Sequence, residues 1–391
     1  MREISLSLGV SKTDTFSSVY PVLNNAILDC GKKTNSRNGS VCEVLDFKTQ
    51  ITNPYRRCVG GCGRDINIFF LLAEAMWIAC GRSDVEFLTI FNQRMKEFSD
   101  DGVVFHAPYG YRLRHYGLRT EDEEKRTSGN NGIDQVIDAI RLLSANRDSR
   151  QVVMSIWNPD MDLGYITKDI PCNDMVMFKI RDGRLITTIA NRSNDLHWGL
   201  PTNVFQFSFL TELMAASLGI TLGTQTHNSQ SLHIYEWSDV ANKMNDCYKS
   251  GKIFDLYGNE VGGHSERIDF NFTHEIPVNR FREIESVLRL IIDNLYIVYR
   301  GGNANKDSLN CIKEFSGYLF LVYRLLEIYI YYKKNLIDSD NKDNLRLSCM
   351  AMIDSLDVDS KLDIVLLAKN FFAKRVTNYE VKFDSQYIGR L

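Results

Sequence analysis

A chain of 391 residues, 24% of them charged and with a formal net charge of −3, has no overall electrostatic reason to bind nucleic acid or a membrane surface, so any grip on a phosphate must be local. The length suits one large α/β domain with an appendage, or two domains. The nine cysteines, at 30, 42, 58, 62, 80, 172, 247, 311 and 349, are scattered, which reads as free thiols in a reducing cytoplasm.

No apolar stretch follows Met1, so no signal peptide is expected. Val19, Val22, Leu23, Ala26 and Ile27 recur at helical spacing and predict a helix over 16–31 that stops at Gly31. Residues 32–39 read as a polar loop carrying Arg37. Cys58 and Cys62 form a Cys-Val-Gly-Gly-Cys pair, but no second Cys or His pair lies nearby at ligand spacing, so no metal site is expected. Residues 66–80 predict an apolar helix with one acid, Glu74, and a stop at Gly81. A carboxylate inside such a stripe must be either paired or functional, because burying it alone is costly. A Pro108-Tyr109-Gly110-Tyr111 turn follows, then basic residues and a charged loop over 119–132. A helix over 133–145 leads through Asp148-Ser149-Arg150-Gln151 into a strand over 152–157.

The stretch 169–203 gathers the most chemistry. Cys172 follows Pro171 at the mouth of an alternating run, 175–180, which turns at Arg181-Asp182-Gly183 into a second run, 185–190. Alternation broken by Asp-Gly predicts a β-hairpin. Arg192, Ser193, Asn194 and Asp195 then stand at the end of the strand beside the cysteine, and a turn at 199–203 opens a helix over 204–218. A strand over 231–235 puts His233 and Tyr235 on one face. Beyond it, helices are expected over 284–298, 309–334 and 361–375, with a break at 338–343. The most apolar run, 318–332, is broken by Arg324 and Glu327 and is too short to cross a bilayer. Its tyrosine-rich face reads as core or subunit packing.

Four motifs in this order, DIPCND at 169–174, RSND at 192–195, GLPTN at 199–203 and SLHIY at 231–235, resemble the thymidylate synthase and deoxypyrimidine-nucleotide hydroxymethylase family. The resemblance covers residues 20–245. It implies an α/β (α+β) fold with a mixed β-sheet flanked by helices. A catalytic domain over 1–280 would precede an all-helical C-terminal extension over 281–391, to which it assigns no role.

What the resemblance implies for the site is specific. Cys172 would add to C6 of a pyrimidine nucleotide, turning C5 into an enolate able to attack a one-carbon electrophile. Arg192 would lie near Cys172 and favour its thiolate. Glu74 would organise water and protons around the ring, and Tyr109 would stand near the reacting carbon. Arg37, Arg192, Ser193 and an Arg150 contributed across a homodimer interface would hold the phosphate. The family's usual second arginine is Gln151 here, which weakens that clamp. Asn203 offers a donor and an acceptor to the uracil edge, where cytosine-specific members carry aspartate, so dUMP is expected over dCMP. His233 and Tyr235 would bond the sugar 3′-hydroxyl. Asp195 would contact the pterin of 5,10-methylenetetrahydrofolate, the one-carbon donor. No metal, membrane or nucleic-acid partner is implied.

Within the family, synthases exclude water with a tryptophan and a closing apolar tail, then transfer hydride. Here no tryptophan lies between Trp77 and Trp157, where Met95 and Phe98 fall nearest, and the chain ends in 387–391 without that tail. Asn173 replaces the histidine usual after the nucleophile. These departures, and the wording at 192–195 and 231–233, imply hydroxymethylation of dUMP. Thymidylate synthesis, dCMP hydroxymethylation and a non-catalytic homologue used for binding stay open as alternatives.

Overall fold

The computed structural model describes residues 3–5, 10–60, 66–120, 132–250, 256–257, 264–337 and 341–377. Cys62, the side chain of Cys247, most of the charged insertion (121–131) and the chain end at 387–391 lie outside the described residues. Every described cysteine is a free thiol.

One mixed sheet organises the molecule. Its strands are β1 (Glu3–Ser5), β2 (Val10–Thr13), β3 (Lys32–Ser36), β4 (Gly39–Ile51), β5 (Val153–Ser155), β6 (Asn173–Arg181), β7 (Arg184–Asn191), β8 (Asn194–Asp195) and β9 (Thr221–Tyr235). Their order is β1-β2-β4-β9-β7-β6-β5, with β3 paired to β4 and β8 to β9. β6 and β7 are antiparallel, while β9 runs parallel to both β7 and β8. The hairpin expected at 181–184 is present. Asp182 and Gly183 take φ of 51° and 67°, the left-handed pair that matches the strands' twist. Val176, Phe178 and Ile180 on β6 and Leu185, Thr187 and Ile189 on β7 are buried on one face. The other face carries half-buried Met175, Met177, Ile186 and Thr188.

Helices α1 (Phe16–Cys30), α2 (Ile68–Ala79) and the long α7 (Gly199–Ser217) form the layer over the buried face. Shorter α3 (Val85–Phe91), α4 (Tyr109–Arg114), α5 (Gln135–Ala145) and α6 (Pro159–Asp162) connect them, and α8 (Asp239–Lys249) lies against α1. The C-terminal helices are α9 (Pro277–Tyr299), α10 (Lys306–Phe315), α11 (Gly317–Asn335), α12 (Lys342–Asp354) and α13 (Asp363–Ala373). α9 packs on α5 and α7, while α11 and α13 pack on α2. Tyr323, Tyr329 and Tyr332 are buried, and the Tyr329 ring stacks on Phe69 of α2 at 4.6 Å. The tyrosine stripe is core.

Several boundaries differ from the sequence reading, each for a local reason. The "polar loop" 32–39 is strand β3 and a two-residue hairpin turn, Arg37-Asn38, before β4. Its five strand residues are exposed, so no apolar alternation marks them. The turn at 199–203 is the first turn of α7, where Pro201 is tolerated because the opening N–H groups have no intrahelical acceptor. The expected helix over 309–334 is two helices, parted at Ser316, whose Oγ accepts the Leu319 N–H at 3.1 Å. α12 begins inside the stretch read as a break, because Asn341 caps it by accepting the N–H groups of Asp343 and Asn344.

Candidate active site

The hairpin delivers Cys172 and Arg192 side by side. Arg192 N–H donates to the Cys172 carbonyl at 3.1 Å, extending the β6–β7 ladder past its last paired residues, Asn173 and Asn191. The guanidinium then folds back over the Cys172 turn. Nε donates to Pro171 O at 2.8 Å, Nη2 donates to Ile170 O at 3.2 Å, and Nη2 lies 3.9 Å from Cys172 Sγ. Its flat face rests on the Trp157 ring at 5.8 Å. Burial pushes the Cys172 thiol up, Arg192 pulls it back, and Asp169, Asp195 and Asp174 add to the upward push. The balance is upward. Arg192 favours the thiolate, but burial outweighs it.

Behind the thiol runs a chain of carboxamides. Asn191 Nδ2 donates to Asn173 Oδ1, Asn173 Nδ2 to Asn203 Oδ1 at 3.2 Å, Asn203 Nδ2 to Asn194 Oδ1 at 3.4 Å, and Asn194 Nδ2 to Ser229 Oγ at 3.1 Å. All four asparagines are buried. Asn203, on the first turns of α7, therefore spends one lone pair and one N–H on its neighbours. It keeps one acceptor and one donor in a fixed orientation. Sequence reasoning noted Asn173 only as a departure from histidine and gave Asn191 and Asn194 no role.

One turn further along α7, Gln206 Nε2 donates to Glu74 Oε2 across the α2–α7 contact. Burial lifts the Glu74 carboxyl to about 8 against the opposing pull of that bond, so it is neutral at pH 7. Gln206 was not singled out from sequence; a polar residue early in an apolar helix, three positions after Asn203, was the available signal. Tyr109 opens α4 and stacks on Phe207 at 6.3 Å. Its hydroxyl is pushed far up by burial and by the charges of Cys172, Asp169 and Glu74. α4 can come this close because residue 110 is glycine: a Cβ there would stand 2.2 Å from Ile78 O on α2. Beneath α4, buried Arg112 donates to Asp162 Oδ1 at 2.9 Å, and His106 Nε2 meets the same oxygen at 3.2 Å.

The remaining candidates lie on the sheet end. His233 is buried and held below the usual imidazole range by desolvation, and it meets the edge of Tyr235 at 5.3 Å. Asp195 is the register partner of His233, and its Oδ1 accepts the N–H of His197 at 2.7 Å. Ser193 is half-buried between Arg192 and Asn194. Arg37, at the β3–β4 turn, spans to the segment leading into Cys172, donating to Thr167 O at 2.8 Å and Lys168 O at 3.1 Å. Arg150 is not brought to this group; it is exposed ahead of β5, and no described residue bonds it. Gln151 is exposed beside it. Among the described residues no group of three or more His, Cys, Asp or Glu could hold a metal ion, and no helix is long and apolar enough to cross a membrane.

The family model described as thymidylate synthase matches residues 18–252. A deoxyuridylate hydroxymethyltransferase of Bacillus phage SP01 is 40% identical over 225 residues, which is 56% of this chain and 57% of that protein. One of Pseudomonas phage M6 is 40% identical over 236 residues, 60% of this chain and 61% of its own. A third, of Delftia phage PhiW-14, is 29% identical over 257 residues, covering 63% of this chain and 66% of its own. The match thus spans less than two thirds of each relative's length.

Proposed function

We propose that this chain, which belongs to the thymidylate synthase family, is a hydroxymethyltransferase that converts dUMP to 5-hydroxymethyl-dUMP with 5,10-methylenetetrahydrofolate as one-carbon donor. The observation that carries the reading is the thiol of Cys172 under the Arg192 guanidinium, next to an Asn203 with one fixed donor and one fixed acceptor to spare. Uracil presents O4 as an acceptor and N3–H as a donor, which fits that pair without turning the amide. Cytosine presents the opposite pair, and rotating Asn203 to suit it would break both carboxamide contacts. The names of the phage relatives support the same substrate and reaction.

In this reading Cys172 adds to C6. Arg192, Ser193 and Arg37 hold the phosphate, with Arg150 of the partner subunit completing the clamp in a homodimer. The exposed Arg150, bonded by none of the described residues, and the half-buried apolar row Met175, Met177 and Ile186 on the open sheet face support that pairing. Glu74, neutral at pH 7, organises water at the ring, and Tyr109 stands at the reacting carbon. His233 and Tyr235 take the sugar 3′-hydroxyl, and Asp195 takes the pterin. Residues 1–280 form the catalytic unit and 281–391 its helical extension. Free thiols support a reducing cytoplasm, the host's if the chain is viral, as its site of action.

Incubating the protein with dUMP and methylenetetrahydrofolate and weighing the products tests this. 5-Hydroxymethyl-dUMP with tetrahydrofolate is expected. dTMP with dihydrofolate would make the chain a thymidylate synthase instead, and no covalent adduct with 5-fluoro-dUMP plus the folate would make it a non-catalytic homologue.

A further inference from the structure

We infer that Asp169 is the base that takes the proton from the water added in the last step, an inference that rests on the hydroxymethylation proposed above. Asp169 stands three residues before Cys172, and the two carbonyls between them, of Ile170 and Pro171, are both bonded by the Arg192 guanidinium. The peptide joining carboxylate to thiol is therefore fixed. On its other side Oδ2 accepts the Ala107 N–H at 2.8 Å, two residues before Tyr109. The carboxylate thus bridges the nucleophile's turn and the wall that carries Tyr109, close enough that its charge raises both the Cys172 thiol and the Tyr109 hydroxyl. Oδ1 takes no hydrogen bond from any described residue, and the side chain is only half-buried, so one oxygen is open to a water molecule.

Glu74, the other acid beside Tyr109, is unsuited to this role. Glu74 holds its proton until about pH 8 and is bonded to Gln206, which makes it an acid or a water anchor at neutral pH. Asp169 is lifted by burial and by Asp100, but the Ala107 N–H, His106 and Arg112 pull it back down. A carboxylate lifted by burial is a better base than an exposed one.

The step balances without an oxidant or reductant. Once tetrahydrofolate has left, the ring bound to Cys172 carries a methylene group doubly bonded to C5. The water oxygen bonds to that methylene carbon while Asp169 takes one water proton, and the π pair moves through C5 to the O4 enolate. The enolate re-forms C5=C6 as the C6–S bond breaks, returning the Cys172 thiolate, and Asp169 gives its proton to solvent.

Asp169→Asn keeps an oxygen for the Ala107 N–H but cannot take a proton. Covalent adduct formation with 5-fluoro-dUMP and the folate is expected to stay within about 2-fold of wild type, and the dUMP KM likewise, while kcat for 5-hydroxymethyl-dUMP falls about 100-fold. The stalled electrophile should be caught by added 2-mercaptoethanol as a thioether of the expected mass. The acid limb of the kcat–pH profile, set by Asp169 among His106, Arg112, Asp100, Tyr109 and Cys172, should disappear. Unchanged turnover in the variant, or an equal loss of adduct and product, overturns the role of Asp169 while leaving hydroxymethylation standing. dTMP from the wild-type protein overturns the parent reading and this step with it.

Discussion

Burial sets the protonation of the side chains around Cys172, and two of them make separable predictions. Glu74 titrates near 8 in the folded chain, against an ordinary carboxylate in the unfolded one. The folded state therefore binds the extra proton between about pH 4.5 and 8, and folding stability falls as pH rises through that window, at up to about 1.4 kcal/mol per unit. Glu74→Gln removes the titration. Its melting temperature should be flatter with pH than wild type and should exceed it at pH 8; parallel curves would show that Glu74 ionises freely. Asn173 acts on a different quantity. Asn173→Ala deletes the N–H that fixes Asn203 Oδ1, so the carboxamide can turn. One such bond is worth about 1 kcal/mol, and the preference for dUMP over dCMP in kcat/KM should shrink roughly 5- to 10-fold. An unchanged ratio would mean that Asn203 is oriented by Asn194 alone.

At the scale of elements, the sheet end owes its precision to two tight turns, only one of which announces itself in the sequence. Asp182-Gly183 between alternating runs is a hairpin signal that needs nothing beyond its neighbours, and the strands it joins bring Cys172 to Arg192. The Arg37-Asn38 turn has no such flank, because β3 is exposed on every residue and only its pairing with β4 makes it a strand. Long apolar runs likewise made α2 and α7, which are buried on nearly every side, legible, while the carboxamide chain was not. Asn173, Asn191, Asn194 and Asn203 come from three strands and a helix and meet only in three dimensions. Gly110 was readable as a turn residue but not as what it is, the point where α4 presses on α2. Gly110→Ala would set a methyl 2.2 Å from the Ile78 carbonyl and move α4 with Tyr109. A loss of about 1–3 kcal/mol in stability is expected from such overpacking. kcat should fall more than KM rises, as kinetics with dUMP would show, because the proposed reaction sets Tyr109 at the reacting carbon and not at the phosphate.

For the whole molecule, the C-terminal helices and the open sheet face lie on opposite sides of the catalytic layers. The helices are built into the first side. Arg57 and Glu212 form a buried ion pair whose carboxylate also accepts the Ile268 N–H at 2.8 Å. Tyr257 joins Asp363 of α13 to the Cys58 N–H. A surface so fully used is a poor place for a second subunit, whereas the sheet face still carries Met175, Met177 and Ile186 half-buried and Val153 49% exposed. Val153 on β5 lies three residues from Arg150. A two-fold dimer through this face would carry each Arg150 toward the other subunit, and mixing variants can read that out. Arg150→Ala and Cys172→Ser should each be nearly inactive alone. In a mixture refolded at equal amounts, half of the dimers are mixed, and each has one site that combines an intact Cys172 with an intact Arg150 from its partner. Turnover should therefore recover to about a quarter of wild type per site, the ceiling for two-fold pairing. Recovery near zero, with the mixed dimer demonstrated by mass, would place Arg150 in its own subunit's site.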